Sequence, residues 1–186
     1  MLLKGNLLSF IFILFTCFLG RSQTSNYLFK SLNTDNGLVH NHVNCSIRDK
    51  FNYLWFGTES GLSRFDGVNF TNFRSSNTKK DGLSNNFVNA LFEGPEGNIW
   101  IRTNSKMNVF EHSSGRIINN VDSILKALKV PVKEVYSVHK ISSSFFGILY
   151  ADRTLVVGDV IHKKYRTVSV PSNYYITDFW QVKTGH

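Results

Sequence analysis

The strongest constraint on this chain is a repeat with a period of 45 residues. When residues 37–65 are aligned with residues 82–110, nine of the 29 positions are identical and the register never shifts. About two identities are expected by chance from ordinary residue frequencies. A period of this length is typical of paired helices or of four-stranded propeller blades. The identical residues of the first unit are Gly37, Leu38, Asn41, Val43, Asn44, Trp55, Thr58, Ser60 and Phe65.

The residues within one unit favour the blade. Four short segments rich in β-branched and aromatic residues predict strands at residues 43–48, 53–58, 62–65 and 69–73. Tight turns separate them, and Asn52 is replaced by Gly97 in the second unit, which predicts a positive φ at that position. No stretch of the unit has the length and period of a helix.

The chain after the second unit is less regular. Apolar residues at helical spacing predict one short helix over residues 120–129, with Asn120 capping its start. A degenerate third unit follows, with strands at residues 135–139, 145–150, 154–157 and 164–168 and with turns at Asp152-Arg153 and Gly158-Asp159. The predicted fold is all-β: a partial β-propeller of four-stranded antiparallel blades with one short inter-blade helix. Its units span about residues 37–74, 82–118 and 133–170, and residues 174–186 begin another.

The N-terminus has the three-part pattern of a secretory signal over residues 1–22. Lys4 precedes an apolar run of 13 residues, and small residues at Gly20 and Ser22 predict cleavage between Ser22 and Gln23. The run is short for a membrane span, although an uncleaved anchor and a lipoprotein anchor on Cys17 are the alternatives. We therefore expect export, with residues 23–186 forming the mature segment.

Composition limits the chemistry that this chain can perform. Removal of the signal leaves Cys45 as a single cysteine, so no internal disulfide is expected. The formal charge of +8 comes from scattered basic residues, which favours a solvated surface over a nucleic-acid interface. Most of the 13 acidic residues fall in turns, and no nucleophile elbow or phosphate loop occurs. We predict no catalytic residue, no cofactor and no metal.

Two motifs of the repeat resemble the two-component regulator propeller repeat. Residues 37–43 (GLVHNHV) with residues 54–58 (LWFGT) carry the resemblance in the first unit, and residues 81–88 with residues 97–103 carry it in the second. The resemblance is close through roughly residues 27–112. Arg102 stands where the first unit has Gly57, and the third unit has no Trp-x-Gly-Thr segment.

The resemblance implies a role in signalling. Such repeats follow a signal peptide and form tandem propellers outside the cytoplasmic membrane, commonly before a transmembrane helix and a histidine kinase that controls genes for carbohydrate use. By resemblance, this chain is the ligand-sensing segment of a hybrid sensor kinase, at the periplasmic face of the membrane, with an oligosaccharide ligand and a homodimeric receptor. A propeller enzyme acting on polysaccharide, a glycosidase or lyase, and a secreted carbohydrate-binding propeller are the alternatives.

The number of units also bears on completeness. Closed propellers have 4–8 blades, whereas residues 23–186 hold about 3.6 units of 45 residues. A lone strand is predicted at residues 27–32, ahead of the first unit. We therefore expect an N-terminal fragment of a longer protein, poorly soluble alone because its terminal faces are uncovered.

The repeated residues have structural and functional interpretations. Trp55 and Trp100 could stack on sugars, but their repeated position between apolar neighbours favours packing between blades. Gly57, Thr58 and Thr103 are interpreted as packing and turn residues of the same repeat core.

Two further features are candidate binding sites. His40 and His42 have a spacing compatible with a metal, but the second unit lacks matching ligands, which favours a loop surface. Arg102 is the candidate ligand-binding residue, because a forked cation in place of a packing glycine breaks the local pattern. It could bind a sulfate or carboxylate of an acidic glycan, and divergence of one blade is the alternative.

Overall fold

The computed structural model describes residues 29–75, 82–169 and 171. The chain divides into a first unit, Met1–Ser31, and a second, Leu32–His186, which holds every strand described below. The predicted signal peptide with its Ser22–Gln23 cleavage site lies outside the described residues, as does the strand predicted within residues 174–186. The strand predicted at residues 27–32 is wrong in its described part, since residues 29–32 have no regular secondary structure.

Three four-stranded antiparallel sheets form the fold, each a meander in which sequence neighbours pair. The first blade comprises β1 (Val43–Arg48), β2 (Leu54–Thr58), β3 (Gly61–Phe65) and β4 (Phe70–Phe73). The second comprises β5 (Val88–Glu93), β6 (Ile99–Thr103), β7 (Met107–Glu111) and β8 (Arg116–Ile118). The third comprises β9 (Val135–Lys140), β10 (Phe145–Tyr150), β11 (Thr154–Asp159) and β12 (Lys164–Ser169). The predicted all-β fold of four-stranded blades is confirmed.

One α-helix is present among the described residues, between the second and third blades. This helix, α1 (Asp122–Ala127), is shorter than predicted at both ends. Asn120 lies just before it, and its side-chain oxygen accepts a hydrogen bond from the backbone N–H of Asp122 at 3.1 Å. Leu125 is fully buried among residues of the second and third blades, so the helix adds to the core there. No helix in the described part of the chain has the length and apolar character needed to cross a membrane.

Two apolar cores hold successive blades face to face. The first joins Trp55 and Leu62 of the first blade to a group from the second blade that includes Leu91 and Phe110. The second joins Trp100 and its neighbours to apolar side chains of β9, β10 and β11. Strand β1 adjoins β5, and β5 adjoins β9, so the first strands of the three blades lie next to one another. We call them the inner strands.

The repeated threonines close the turn between the second and third strands of each blade. The hydroxyl of Thr58 donates to the carbonyl oxygen of Gly61 at 2.8 Å, and Thr103 donates to that of Lys106 at 2.9 Å. Each threonine oxygen also accepts the backbone N–H two residues later. The repeat therefore preserves a turn that satisfies its own buried polar groups.

The structure confirms one predicted turn feature and contradicts another. Asn52 and Gly97 have φ values of +68° and +78°, which confirms the positive φ predicted from their exchange. The turn predicted at Gly158-Asp159 is wrong, because both residues complete β11 and the chain turns at residues 160–163. Gly158 is required there by the ring of Phe146, which leaves no room for a Cβ atom.

Candidate functional site

Each blade has a β-bulge near the start of its inner strand. In β1 the register with β2 shifts between Val43 and Cys45, and the same shift recurs in β5 and in β9. A bulge leaves one residue unpaired and redirects its side chain, and bulges are common beside functional sites. The residues passed over by the ladder are Asn44, Asn89 and Tyr136. We call these three residues, with Arg102, the inner rim.

The first inner-rim residue joins two blades. The side-chain amide of Asn44 donates to the carbonyl oxygen of Val88 at 3.0 Å, across the contact between the first and second blades. Its counterpart Asn89 instead donates to the side-chain oxygen of Asn104 at 2.9 Å, within the second blade. The asparagines at the equivalent bulges of the two blades thus have different partners. Asn89 does not bond to the third blade, and the second and third blades are joined near this bulge by other residues.

The exchange of Gly57 for Arg102 accounts for that difference. A Cβ atom on Gly57 would lie 2.5 Å from the Cys45 sulfur and 2.6 Å from Val88, so the first blade has no room for a side chain. Arg102 extends toward the third blade, where its Nη1 atom donates to the carbonyl oxygen of Tyr136 at 3.1 Å. Its guanidinium lies 4.5 Å from the centre of the Tyr136 ring, which is a cation–π contact. The structure thus places Arg102 in a bond between blades.

Tyr136 is the inner-rim residue that the sequence did not reveal. Its side chain remains 52% exposed although the guanidinium packs against its ring. An exposed aromatic ring beside a planar cation offers both an apolar face and hydrogen-bond donors to a ligand. The third unit lacks the repeat motif, and the position of the bulge follows only from the register of β9 with β10.

The two repeated tryptophans lie in the cores between blades. Trp55 and Trp100 are 0% and 1% exposed, so neither ring is available to a ligand at the surface. The Trp55 indole N–H donates to a carboxylate oxygen of Asp49 at 2.7 Å. Gly94 replaces Asp49 in the second blade, and a Cβ atom there would collide with the Trp100 indole.

The two histidines before the first blade do not converge on one point. The Nδ1 atom of His40 accepts the backbone N–H of His42 at 3.1 Å, while the His42 ring faces Glu59 at 3.1 Å. Over residues 29–75 and 82–169, no group of three or more metal-ligating side chains comes together.

A cleft opens between the second and third blades. Its volume is about 340 Å³, within the range of small-ligand sites. Lys106 lines it from the turn after Arg102's strand, and Val135 lines it from the residue before Tyr136. Lys133 and Glu134 contribute charged groups at its edge. The start of α1 forms the rest of its wall, and none of the four inner-rim residues lines it.

Comparison with known families identifies the repeat. The family model of the two component regulator propeller matches residues 37–60 and 82–105. These two segments are two-component regulator propeller repeats. The resemblance carried by the sequence motifs is confirmed, and the two matched segments contain all five repeat-core residues, Trp55, Gly57, Thr58, Trp100 and Thr103. Arg102 lies within the second regulator propeller repeat, whereas Tyr136 lies beyond it.

This chain spans a small part of the longer proteins to which it is similar. Histidine kinase P4 of Formosa agariphila is 36% identical over 64 residues, which are 34% of this chain and 5% of that kinase. The chain is also similar to the extracellular domain of a protein described as a hybrid two-component system of B. thetaiotaomicron, at 17% identity, covering 79% of this chain and 27% of that one, with a TM-score of 0.38. A second such domain from the same organism has 21% identity, covers 64% and 16% of the two chains, and gives a TM-score of 0.45.

Proposed function

We propose that this chain is part of the extracytoplasmic ligand-sensing propeller of a two-component receptor, a hybrid sensor histidine kinase, and that the segment itself is not catalytic. The two regulator propeller repeats, each folded as a four-stranded blade, carry this proposal. The secretory signal predicted over residues 1–22 supports a position outside the cytoplasmic membrane. The similarity to a histidine kinase over 64 residues supports the link to a kinase.

The proposed ligand is a carbohydrate fragment bound at the inner rim. Sugars present apolar ring faces together with hydroxyl groups, and they are recognised by aromatic rings beside planar hydrogen-bonding groups. Tyr136 supplies the exposed ring, while Asn44, Asn89 and Arg102 supply amide and guanidinium groups on neighbouring blades. A sulfate or carboxylate on the sugar would pair with Arg102.

A ligand at this place would act on the contact between blades. Arg102 belongs to the second blade and Tyr136 to the third, so a ligand that touches both changes the free energy of their contact. We propose that this change alters the geometry of a receptor homodimer and thereby the activity of the kinase.

The test is calorimetry on the complete receptor with neutral, uronic and sulfated oligosaccharides. We expect at least one glycan to bind, and we expect Tyr136→Ala to weaken it at least tenfold. Tyr165→Ala is the matched control, since Tyr165 is a similarly exposed tyrosine on β12, far along the third sheet. Absence of heat with every glycan would overturn the carbohydrate assignment, and degradation of a polysaccharide would indicate a propeller enzyme instead.

A further inference from the structure

His112 lies between the first two blades in a pocket made of aromatic rings. It directly follows β7, and its ring centre is 4.6 Å from that of Phe51 and 5.1 Å from that of Phe110. Trp55 meets it edge-on at 6.2 Å. The side chain is only 14% exposed, so the imidazole is part of the contact between blades.

A fully buried carboxylate stands beside this imidazole at ion-pair distance, although no hydrogen bond joins the two groups. Asp49 accepts the backbone N–H groups of Phe51 and Tyr53 at 2.9 Å each and the indole N–H of Trp55 at 2.7 Å. These three donors, all from the first blade, fix the carboxylate. The Nε2 atom of His112 lies 3.5 Å from the nearer oxygen and is buried with no hydrogen-bond partner.

The charges around His112 oppose one another. Asp49 and Glu93 favour the protonated imidazole, whereas Lys50 and Arg64 disfavour it. The Arg64 guanidinium is held over the Trp55 and Phe110 rings at 5.7 Å and 5.6 Å, on the same side of the interface. Burial is the largest effect, and with the two cations it lowers the pKa of His112 below 6.5.

We propose that His112 is a proton-operated latch between the first two blades. The latch is closed when the neutral ring lies in the aromatic pocket, and it is open when the protonated ring has left the pocket. The neutral ring fits the aromatic pocket, because a neutral imidazole loses little on leaving water. A protonated ring would be a cation largely removed from water among aromatic rings, with the cations Lys50 and Arg64 close by. The Asp49 carboxylate that could pair with it is held by three donors of the first blade. Protonation therefore favours states in which the ring leaves the pocket and the two blades separate locally. This device is independent of any ligand at the inner rim.

The direction of the effect follows from linkage. The pKa of His112 is about 6.5 when the ring is in water and lower when the latch is closed. The open state therefore binds more protons between these two pKa values. The stability of the contact is complete above pH 6.5, falls as the pH drops from there toward the closed-state pKa, and does not change further below it.

The test follows the interface with pH on the full chain. We expect NMR titration of the His112 ring to give a pKa below 6.5, and hydrogen exchange at the amides of β2 and β6 to accelerate several-fold between pH 7 and pH 5, beyond the intrinsic pH effect. His112→Phe keeps an aromatic ring in the pocket and should remove this acceleration. His162→Phe, at a histidine in the turn after β11 that is 70% exposed, should keep it.

Two results would overturn this proposal. One is an identical pH dependence of exchange in the wild-type chain and in His112→Phe. The other is a His112 pKa above 6.5 with slower exchange on acidification, which would mean that an ion pair with Asp49 tightens the contact. If the phenylalanine variant does not fold, the ring titration in the wild-type chain decides alone.

Discussion

The Nη1 atom of Arg102 donates a hydrogen bond to the carbonyl oxygen of Tyr136, 34 residues further along the chain. This bond joins the second blade to the bulge of the third, at the level where Asn44 joins the first blade to the second. The glycine that the repeat places at this position in the first blade could not make it. Divergence of the second repeat has therefore replaced a packing residue by a polar connection between blades.

Replacing Arg102 tests this connection. Arg102→Gly should lower the free energy of unfolding by about 1–2 kcal/mol, because one hydrogen bond and one cation–π contact are lost and a glycine enters a strand. The measurement is urea unfolding followed by tryptophan fluorescence. Arg166→Gly, at an exposed position of the β12 edge strand, is the control. Equal effects of the two substitutions would show that the contact with Tyr136 contributes nothing.

The matching glycine of the first blade should not accept a side chain. Gly57→Ala places a methyl group against Cys45 and Val88, and overpacking of this kind costs about 1–3 kcal/mol. We expect a lower urea midpoint for Gly57→Ala, whereas Thr71→Ala, on the exposed part of β4, should change it little. A Gly57→Ala chain as stable as the wild type would mean that the first two blades are less closely packed than described.

The buried carboxylate of Asp49 can be compared with a similar one at the surface. Asp66 also accepts two backbone N–H groups in a turn, but it is exposed and bonds no tryptophan. Asp49→Ala leaves buried donors unsatisfied and should cost about 3–5 kcal/mol. Asp66→Ala should cost clearly less, since water can replace the lost acceptor. The measurement is the thermal midpoint of each variant, and similar losses would contradict the proposed role of the Trp55 bond.

The thiol of Cys45 should be unreactive in the folded chain. Burial raises its pKa to about 11, against the smaller opposing effects of the Gly57 backbone and Arg102. In a Cys17→Ser background, we expect reaction with a thiol reagent at pH 8 to be much slower in buffer than in urea. The folded chain keeps its thiol proton between pH 9.0 and about 11 while the unfolded chain loses it, so stability should fall over that interval. Equal reaction rates in buffer and urea would show an exposed thiol.

The strands and turns of the first two blades could be read from the sequence because a meander is local. Each strand pairs with the next one along the chain, and the turn between them is made by residues such as Asn52 and Thr58 that act on their own neighbours. The helix is also predictable from local spacing, although the observed helix is shorter than predicted at both ends. The turn predicted at Gly158 is wrong because glycine is common in turns, whereas here it leaves room for the ring of Phe146 within a strand.

The contacts on which the proposals rest join residues of different blades, and no local pattern in the sequence records them. Arg102 was recognisable as an exception, but its partner was not, since Tyr136 lies in a unit without the repeat motif. His112 and Asp49 come from different blades. The repeat marks His112 as a replacement for Gly67 of the first unit, but nothing in the sequence pairs it with Asp49. The repeat thus specifies how each blade folds, because those forces act between adjacent strands. Which side chains meet between blades, and with what protonation, depends on how the finished sheets stack.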